Sequence, residues 1–233
     1  MNQSIHDKVR AILDRANHPN TPQAEAETAL ALAQKLIIKH GIDEASLVIT
    51  DKPEDIVKDE LVIAGKYDVR RLTLGFTIAK ANSVASYRSE RRHEGKWVKV
   101  LVLYGTSADI FAVKTLFASA DLLASRLIPK HGDRSLKTSW WHGFTAGIRQ
   151  VLSKAKNDVI KESGSDGSSV ALVLASKYER ADKEMRATIK LRSYSGGSSV
   201  SNSSAYYSGV KSGASFSLGS TRIGGSTIGA LNR

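Results

Sequence analysis

Residues 4–42 constrain the fold most, because they contain start and stop signals for two consecutive helices. Ser4 and Asp7 have the spacing of a capping box, and apolar residues follow them at helical spacing. Pro19 ends this first helix, since a residue before proline is pushed out of the helical region. A Thr-Pro pair then favours a second, alanine-rich helix, which Gly41 ends. The segment therefore predicts a helical hairpin.

This segment resembles a short N-terminal domain of unknown function that is found in many bacterial and phage proteins, including early-region proteins of transposable phages. The resemblance rests on a basic-apolar first helix at 8–16, a loop at 17–22, an Ala/Glu-rich helix at 25–36 and a closing Lys-His-Gly-Ile at 39–42. A weaker likeness continues at 104–109 and 140–144. The family has no established activity, so the resemblance implies a bacterial or phage origin but assigns no role to any residue.

Strand and helix signals alternate downstream of the hairpin. We predict a hairpin domain at 1–45, a linker at 46–55, a body at 56–191 and a tail at 192–233. Within the body, strands are predicted at 56–64, 83–88 and 97–104, and helices at 67–81, 107–129, 138–160 and 170–191. The predicted fold class is α+β, with a small antiparallel or mixed sheet packed by two or three long helices.

The tail has a composition that is typical of disorder. Its final 41 residues contain 13 Ser and 8 Gly, which bury little apolar surface. An island at 205–218 is the exception, and the sequence leaves open whether it forms a short helix or a docked strand. Farther upstream, Gly143 and Gly147 lie four apart on a predicted helix, where they permit another helix to approach closely. We therefore expect a flexible tail with one ordered piece.

Composition excludes several classes of site. The chain has no Cys, which removes disulfides and thiolate chemistry and fits a reducing cytoplasm. No apolar run approaches the ~18 residues that a membrane span needs, so we predict a cytoplasmic protein, in the host cytoplasm if phage-encoded. The six His residues lack metal-protease spacing, and no nucleophile elbow is present. We predict no metal or cofactor, and a non-enzymatic role is favoured over an enzymatic one.

The charge distribution indicates a polyanionic partner. The formal net charge is +11, yet residues 1–50 hold five basic and six acidic side chains. The excess lies at 66–99, with nine basic and three acidic residues, and at 126–161, with eight and two. After Glu184 six basic residues and no acidic ones remain. Nucleic acid is the natural polyanion, and simple solubilising charge is the alternative.

A basic β-hairpin tip is the first candidate nucleic-acid-binding segment. Its cations are Arg88, Arg91, Arg92 and Lys96. A ribbon of this kind can lie along phosphates, with Tyr87 or Trp97 available for stacking. The alternative is a solvated loop with Trp97 in the core.

A second basic-aromatic cluster follows at 130–142. Its candidate nucleic-acid-binding residues are Lys130, Arg134, Lys137 and Trp141. Trp140 shares helical spacing with the apolar face, which leaves Trp141 as the tryptophan expected to be exposed on a contact surface.

A third candidate is a generic anion-binding site at the junction between a strand and a helix. Gly105, Thr106 and Ser107 would present backbone N–H groups and hydroxyls at the helix N-terminus. No Walker motif is present. An ordinary helix cap, with Asp109 in the first turn, is the favoured interpretation.

The leading functional hypothesis is a non-enzymatic nucleic-acid-binding protein. One alternative is a protein-binding regulator of host machinery that docks through the N-terminal hairpin. The other alternative is a metal-dependent nuclease, for which Asp59, Glu60 and Lys66 are the only suggestive residues.

Overall fold

The computed structural model describes residues 55–93, 95–162, 167–191 and 200–216, together with six isolated positions in the N-terminal segment. Those six are Lys8, Ala11, Ile12, Glu25, Leu32 and Leu36, and each has helical backbone. The pairing of the two expected N-terminal helices, the linker at 46–54 and the tail after 216 lie outside the described residues.

Three strands and five helices make up the described body. In chain order they are β1 (Val57–Ile63), α1 (Asp68–Ala81), β2 (Ala85–His93), β3 (Lys96–Gly105), α2 (Ser107–Leu127), α3 (Arg134–Glu162), α4 (Gly167–Thr188) and α5 (Ser203–Ala214). The strands form one antiparallel sheet in the order β1-β3-β2. The predicted α+β class is confirmed, and the sheet is antiparallel rather than mixed.

The central strand β3 is buried on both faces. Leu101 and Leu103 point into a core shared with α1, α2 and α3. Val100 and Val102 point into a second core, where Met185 of α4 packs against them. Because successive side chains of a strand point to opposite faces, a strand of this kind needs apolar residues at consecutive positions. The run Val-Leu-Val-Leu-Tyr at 100–104 supplies them.

The β2–β3 hairpin is longer than the sequence predicts. The polar stretch at 89–96 was expected to be a loop, but β2 continues to His93 and β3 begins at Lys96. Cross-strand pairing explains the difference, because Glu90 lies opposite Lys99 and forms an ion pair with it. Opposite charges at facing positions stabilise an antiparallel pair even where both side chains are solvated.

The burial of Trp141 contradicts the prediction from the sequence. This side chain was predicted to be exposed, but it is 3% exposed and its neighbour Trp140 is fully buried. The prediction assumed that α3 has one buried face, whereas α3 packs against α1 on one side and α5 on the other. Trp141 accordingly contacts Tyr67, next to α1, with ring centroids 6.0 Å apart. It is therefore a core residue and offers no surface for stacking.

Helices α3 and α5 pack backbone to backbone through two pairs of glycines. A Cβ atom built on Gly143 would lie 1.9 Å from the carbonyl oxygen of Tyr206, and one on Gly209 would lie 2.1 Å from that of Trp140. Gly147 and Gly213 make equivalent contacts one turn further along. The close approach predicted for the α3 glycines is confirmed. The helix that approaches them is α5, which covers most of the island at 205–218 in the tail.

No helix within the described ranges is long and apolar enough to cross a membrane.

Replacing Gly143 with Ala should destabilise the protein, although alanine is the better helix former. The added methyl has no room beside the Tyr206 carbonyl, so the helices must separate, at a cost of about 1–3 kcal/mol. Urea unfolding of the full chain measures this cost. Ser208→Ala, at an exposed position of α5, is the control and should be neutral within ~0.5 kcal/mol. Equal stability of both variants would contradict the packing.

Candidate nucleic-acid interface

The β2–β3 hairpin projects beyond the rest of the sheet. The last residue of β1, Ile63, pairs with Lys99, so β3 residues before this position pair with β2 alone. Three residue pairs extend past β1, which corresponds to a two-stranded ribbon of about 10 Å. They are Arg91 with Val98, Arg92 with Trp97, and His93 with Lys96. The ribbon therefore presents basic side chains clear of the helices.

The two faces of the ribbon carry different chemistry. Arg92 and Trp97 face each other across the strands and share one face, because directly paired residues point to the same side. Arg91 and Lys96 lie on the opposite face by the same alternation. Trp97 is 68% exposed, which contradicts the alternative that places it in the core. Tyr87 instead packs in the second core, so Trp97 is the aromatic side chain that can reach a ligand.

Ion pairs hold the base of the ribbon in place. Glu90 accepts hydrogen bonds from both Lys99 and Arg88, and these two cations lower the pKa of its carboxyl to about 2. On the other face, Arg91 donates to Glu60 of β1 at 2.7 Å. Arg88 and Arg91 are thus partly neutralised by internal acids, and Arg92 and Lys96 lie further out, both exposed.

The second basic cluster surrounds the start of α3. Arg134 begins this helix, and Lys130 precedes it in the connection from α2. The Arg70 guanidinium, from the first turn of α1, donates to His142 Nε2 at 3.0 Å. Burial and the Arg134 charge lower the pKa of Arg70, and burial and the Arg70 charge lower the pKa of His142. The positive charges of Arg70 and Arg134 are therefore close enough to repel each other.

Both basic clusters lie at the same end of the sheet. Arg71 follows β1 closely and forms a two-pronged ion pair with Asp121, near the end of α2, at 2.6 and 2.7 Å. Its other nitrogen donates to the carbonyl of Ala64. This contact fixes the end of α2, and with it the start of α3, beside the end of β1 from which the ribbon projects. We name this end the basic pole. It comprises Arg70, Arg88, Arg91, Arg92, Lys96, Lys130, Arg134 and Lys137.

The predicted anion-binding residues lie at the opposite end of the sheet and form a cap. Thr106 is the N-cap of α2, and its hydroxyl accepts from the Asp109 N–H at 3.2 Å and donates to the Asp109 carboxylate at 2.8 Å. That carboxylate also pairs with Lys177 of α4 at 2.8 Å, and both side chains are largely buried. Gly105 packs tightly under Val84. The chain thus supplies its own anion at this helix end, which favours the cap, and anion binding at Ser107 and its neighbours stays a prediction.

Removing one member of the Asp109–Lys177 pair should destabilise the protein. Asp109→Ala leaves the ammonium group buried without its partner, and we expect a loss of about 3 kcal/mol, at the low end for buried pairs. A thermal or urea unfolding series measures the loss. Asp182→Ala breaks an exposed ion pair within α4 and is the control, with an expected loss of only about 0.5 kcal/mol. Similar losses in the two variants would show that the buried pair has no special role.

Sequence reasoning placed His142 in the second basic-aromatic cluster at 130–142 but missed Arg70 and its contact with His142. Arg70 was assigned only to a helix, yet a cation in the first turn of a helix opposes the positive end of its dipole. That local conflict is the signal that would have marked Arg70. His142 carried no such signal, because its contact with Arg70 spans 72 positions of the chain.

The two carboxylates suggested as metal ligands for the nuclease alternative do not lie together. Asp59 and Glu60 are consecutive in β1 and therefore point to opposite faces of the sheet. Asp59 binds Lys114 and Glu60 binds Arg91, so each carboxylate already has a cation. Among the residues that the structure describes, no group of three or more potential ligands is suited to a metal ion. The geometry therefore gives this alternative no support.

Comparison with known proteins identifies the N-terminal segment alone. Residues 4–44 match the family model described as a protein of unknown function (DUF2786). The resemblance expected from the sequence is confirmed over this segment. No curated protein and no solved structure matches the chain. The match lies outside the body that carries the basic pole, so the function of this body rests on its own geometry.

The stability of the protein should fall as the pH drops below about 6.5, partly through His142. Its pKa is lowered in the folded protein from the ordinary value of 6.5, so the unfolded chain binds the proton more readily. Above pH 6.5 the His142 imidazole is neutral in both the folded and the unfolded protein, so it does not change the free energy of unfolding. Below it, stability is lost until the pH passes the folded pKa. His142→Gln keeps an acceptor for Arg70 and should reduce this slope in urea titrations from pH 7.5 to about 5. An unchanged slope would contradict the assignment.

Proposed function

We propose that this protein binds nucleic acid through the basic pole and does so without catalysing a reaction. The observation that supports this most is the convergence of two basic segments, separated by about 30 positions of sequence, at one end of the fold. Residues 88–99 contain five basic and two acidic side chains, and residues 126–137 contain four and one. A chain that needed charge only for solubility would gain nothing from gathering it at one end.

The arrangement suits a phosphate backbone better than a small anion. Arg92 and Lys96 project on the ribbon, whereas Lys130 and Arg134 lie at the start of α3, and all four are exposed. Cations spread over two structural elements contact several phosphates at once, and each neutralised phosphate releases condensed counterions. Binding of this kind weakens steeply as salt rises.

Neutralising either cluster should weaken binding and flatten its salt dependence. Arg92→Ala with Lys96→Ala, and separately Lys130→Ala with Arg134→Ala, should each reduce the slope of log K against log salt by about 1–2. Fluorescence anisotropy with labelled oligonucleotides, titrated from about 50 to 200 mM salt, measures the slope.

Lys154→Ala with Lys161→Ala provides a matched control. It removes the same charge from exposed positions of α3 that lie about 30–40 Å from Arg134 along the helix. Under the proposal this variant binds nearly as well as the unchanged protein. Equal losses in all three double variants would show that only total charge matters, and no binding of any oligonucleotide at low salt would refute the proposal.

A further inference from the structure

Trp97 is an exposed aromatic side chain that the protein's own packing does not explain. Trp97 is 68% exposed, whereas the other two tryptophans, Trp140 and Trp141, are buried. It lies in the second of the three residue pairs that extend beyond β1, where none of the strands that the structure describes flanks it on the β1 side. A ring of this size in water forgoes the burial that most tryptophans obtain. Its position is therefore suited to contact with a ligand.

The surroundings of Trp97 match the chemistry of a nucleotide. Arg92 lies directly across the ribbon on the same face, with Cβ atoms about 5 Å apart in such pairs. One position further back on that face, Glu90 pairs with Lys99 directly opposite it, and it also pairs with Arg88, one position beyond. A base stacked on the indole would thus have a guanidinium beside it that reaches its phosphate. The ion pairs behind it restrain the strands that carry both groups.

We propose that the ligand of the basic pole is single-stranded nucleic acid, with Trp97 as a platform on which one base stacks. This inference rests on the proposed function. In a duplex both faces of every base are covered by its neighbours, so the indole gains nothing unless a base step is forced apart, which is costly. In a single strand the faces are open, and stacking on an aromatic side chain adds to the attraction of the backbone for cations.

The second basic cluster offers further cations for the phosphates of the bound single strand. From the ribbon, the backbone of the bound strand would run towards the start of α3, where the charges of Arg70 and Arg134 interact and Lys130 precedes the helix. Burial, and after it the Arg70 charge, lowers the pKa of His142 beside this cluster. A flexible single strand can contact cations on both structural elements while one of its bases stacks on the indole.

Tryptophan fluorescence and anisotropy together test the inference on the full chain. The probes are a labelled oligodeoxynucleotide, the oligoribonucleotide of the same sequence, and the corresponding duplexes. Because Trp97 is the one exposed tryptophan of the three, single strands should quench the solvent-exposed part of the emission. Trp97→Ala should weaken single-strand binding about 5- to 100-fold and leave duplex binding within about twofold. Trp97→Phe, which keeps a ring, should restore most of the loss.

Leu172→Ala is the control for loss of exposed apolar surface. Leu172 is 70% exposed on α4, near the end of the sheet opposite the ribbon, where Leu174 accepts a hydrogen bond from Ser83. This variant should bind like the unchanged protein.

The outcomes separate the inference from the proposed function. If single strands bind more tightly than duplexes, and if this preference is lost in Trp97→Ala but kept in Trp97→Phe and Leu172→Ala, both the inference and the proposed function are supported. Binding that depends on Arg92 and Lys96 but not on Trp97, or that favours duplexes, overturns the single-strand inference and leaves the proposed function in place. Binding of neither form at low salt overturns both.

Discussion

Burial of β3 on both faces is the constraint on which the other elements depend. Its Leu residues meet α1, α2 and α3 on one side, and its Val residues meet α4 on the other. β3 is also the central strand of the sheet, with β1 and β2 at its two edges. Because β1 is shorter than its neighbours, the remainder of the β2–β3 pair has no third strand beside it within the described part of the chain. The projecting ribbon is thus a consequence of the sheet's own geometry.

The same topology explains why the basic charge gathers at one end. β1 and α2 both finish at the end from which the ribbon projects, and the bidentate pair of Arg71 with Asp121 holds these two ends together. The start of α3 must follow there, because only six residues separate it from α2. Mutual repulsion among these cations opposes folding. Binding of a polyanion would offset that repulsion, which is why the location of the charge supports the functional proposal more than its amount.

Much of the body could be predicted from sequence because its signals are local. β-branched residues around Val100 mark a buried strand, and 3.6-residue periodicity marks each long helix. The features that sequence missed depend on distant partners. Trp141 is buried because α3 also packs against α1, and Tyr67, which precedes α1 and lies far upstream in the sequence, contacts its ring. The extra length of β2 depends on Glu90 meeting Lys99 across the turn. The convergence of the two basic clusters likewise requires the topology, which no local pattern contains.

The C-terminal region shows how a composition typical of disorder can serve packing. Serine and glycine bury little apolar surface, so their abundance after residue 192 argues against a core. Gly209 and Gly213, however, are spaced to face Gly143 and Gly147, and without side chains the two backbones come into direct contact. Attraction then comes from many van der Waals contacts and from Cα–H groups against carbonyl oxygens rather than from large apolar side chains. Serine adds to this docking, because Ser139 Oγ accepts hydrogen bonds from the backbone N–H groups of Ser201 and Asn202 at the start of α5. Ala205 and Phe216, at the two ends of this segment, join the core that contains Trp140 and Trp141. The packing of the body therefore includes a segment whose composition alone would assign it to the tail.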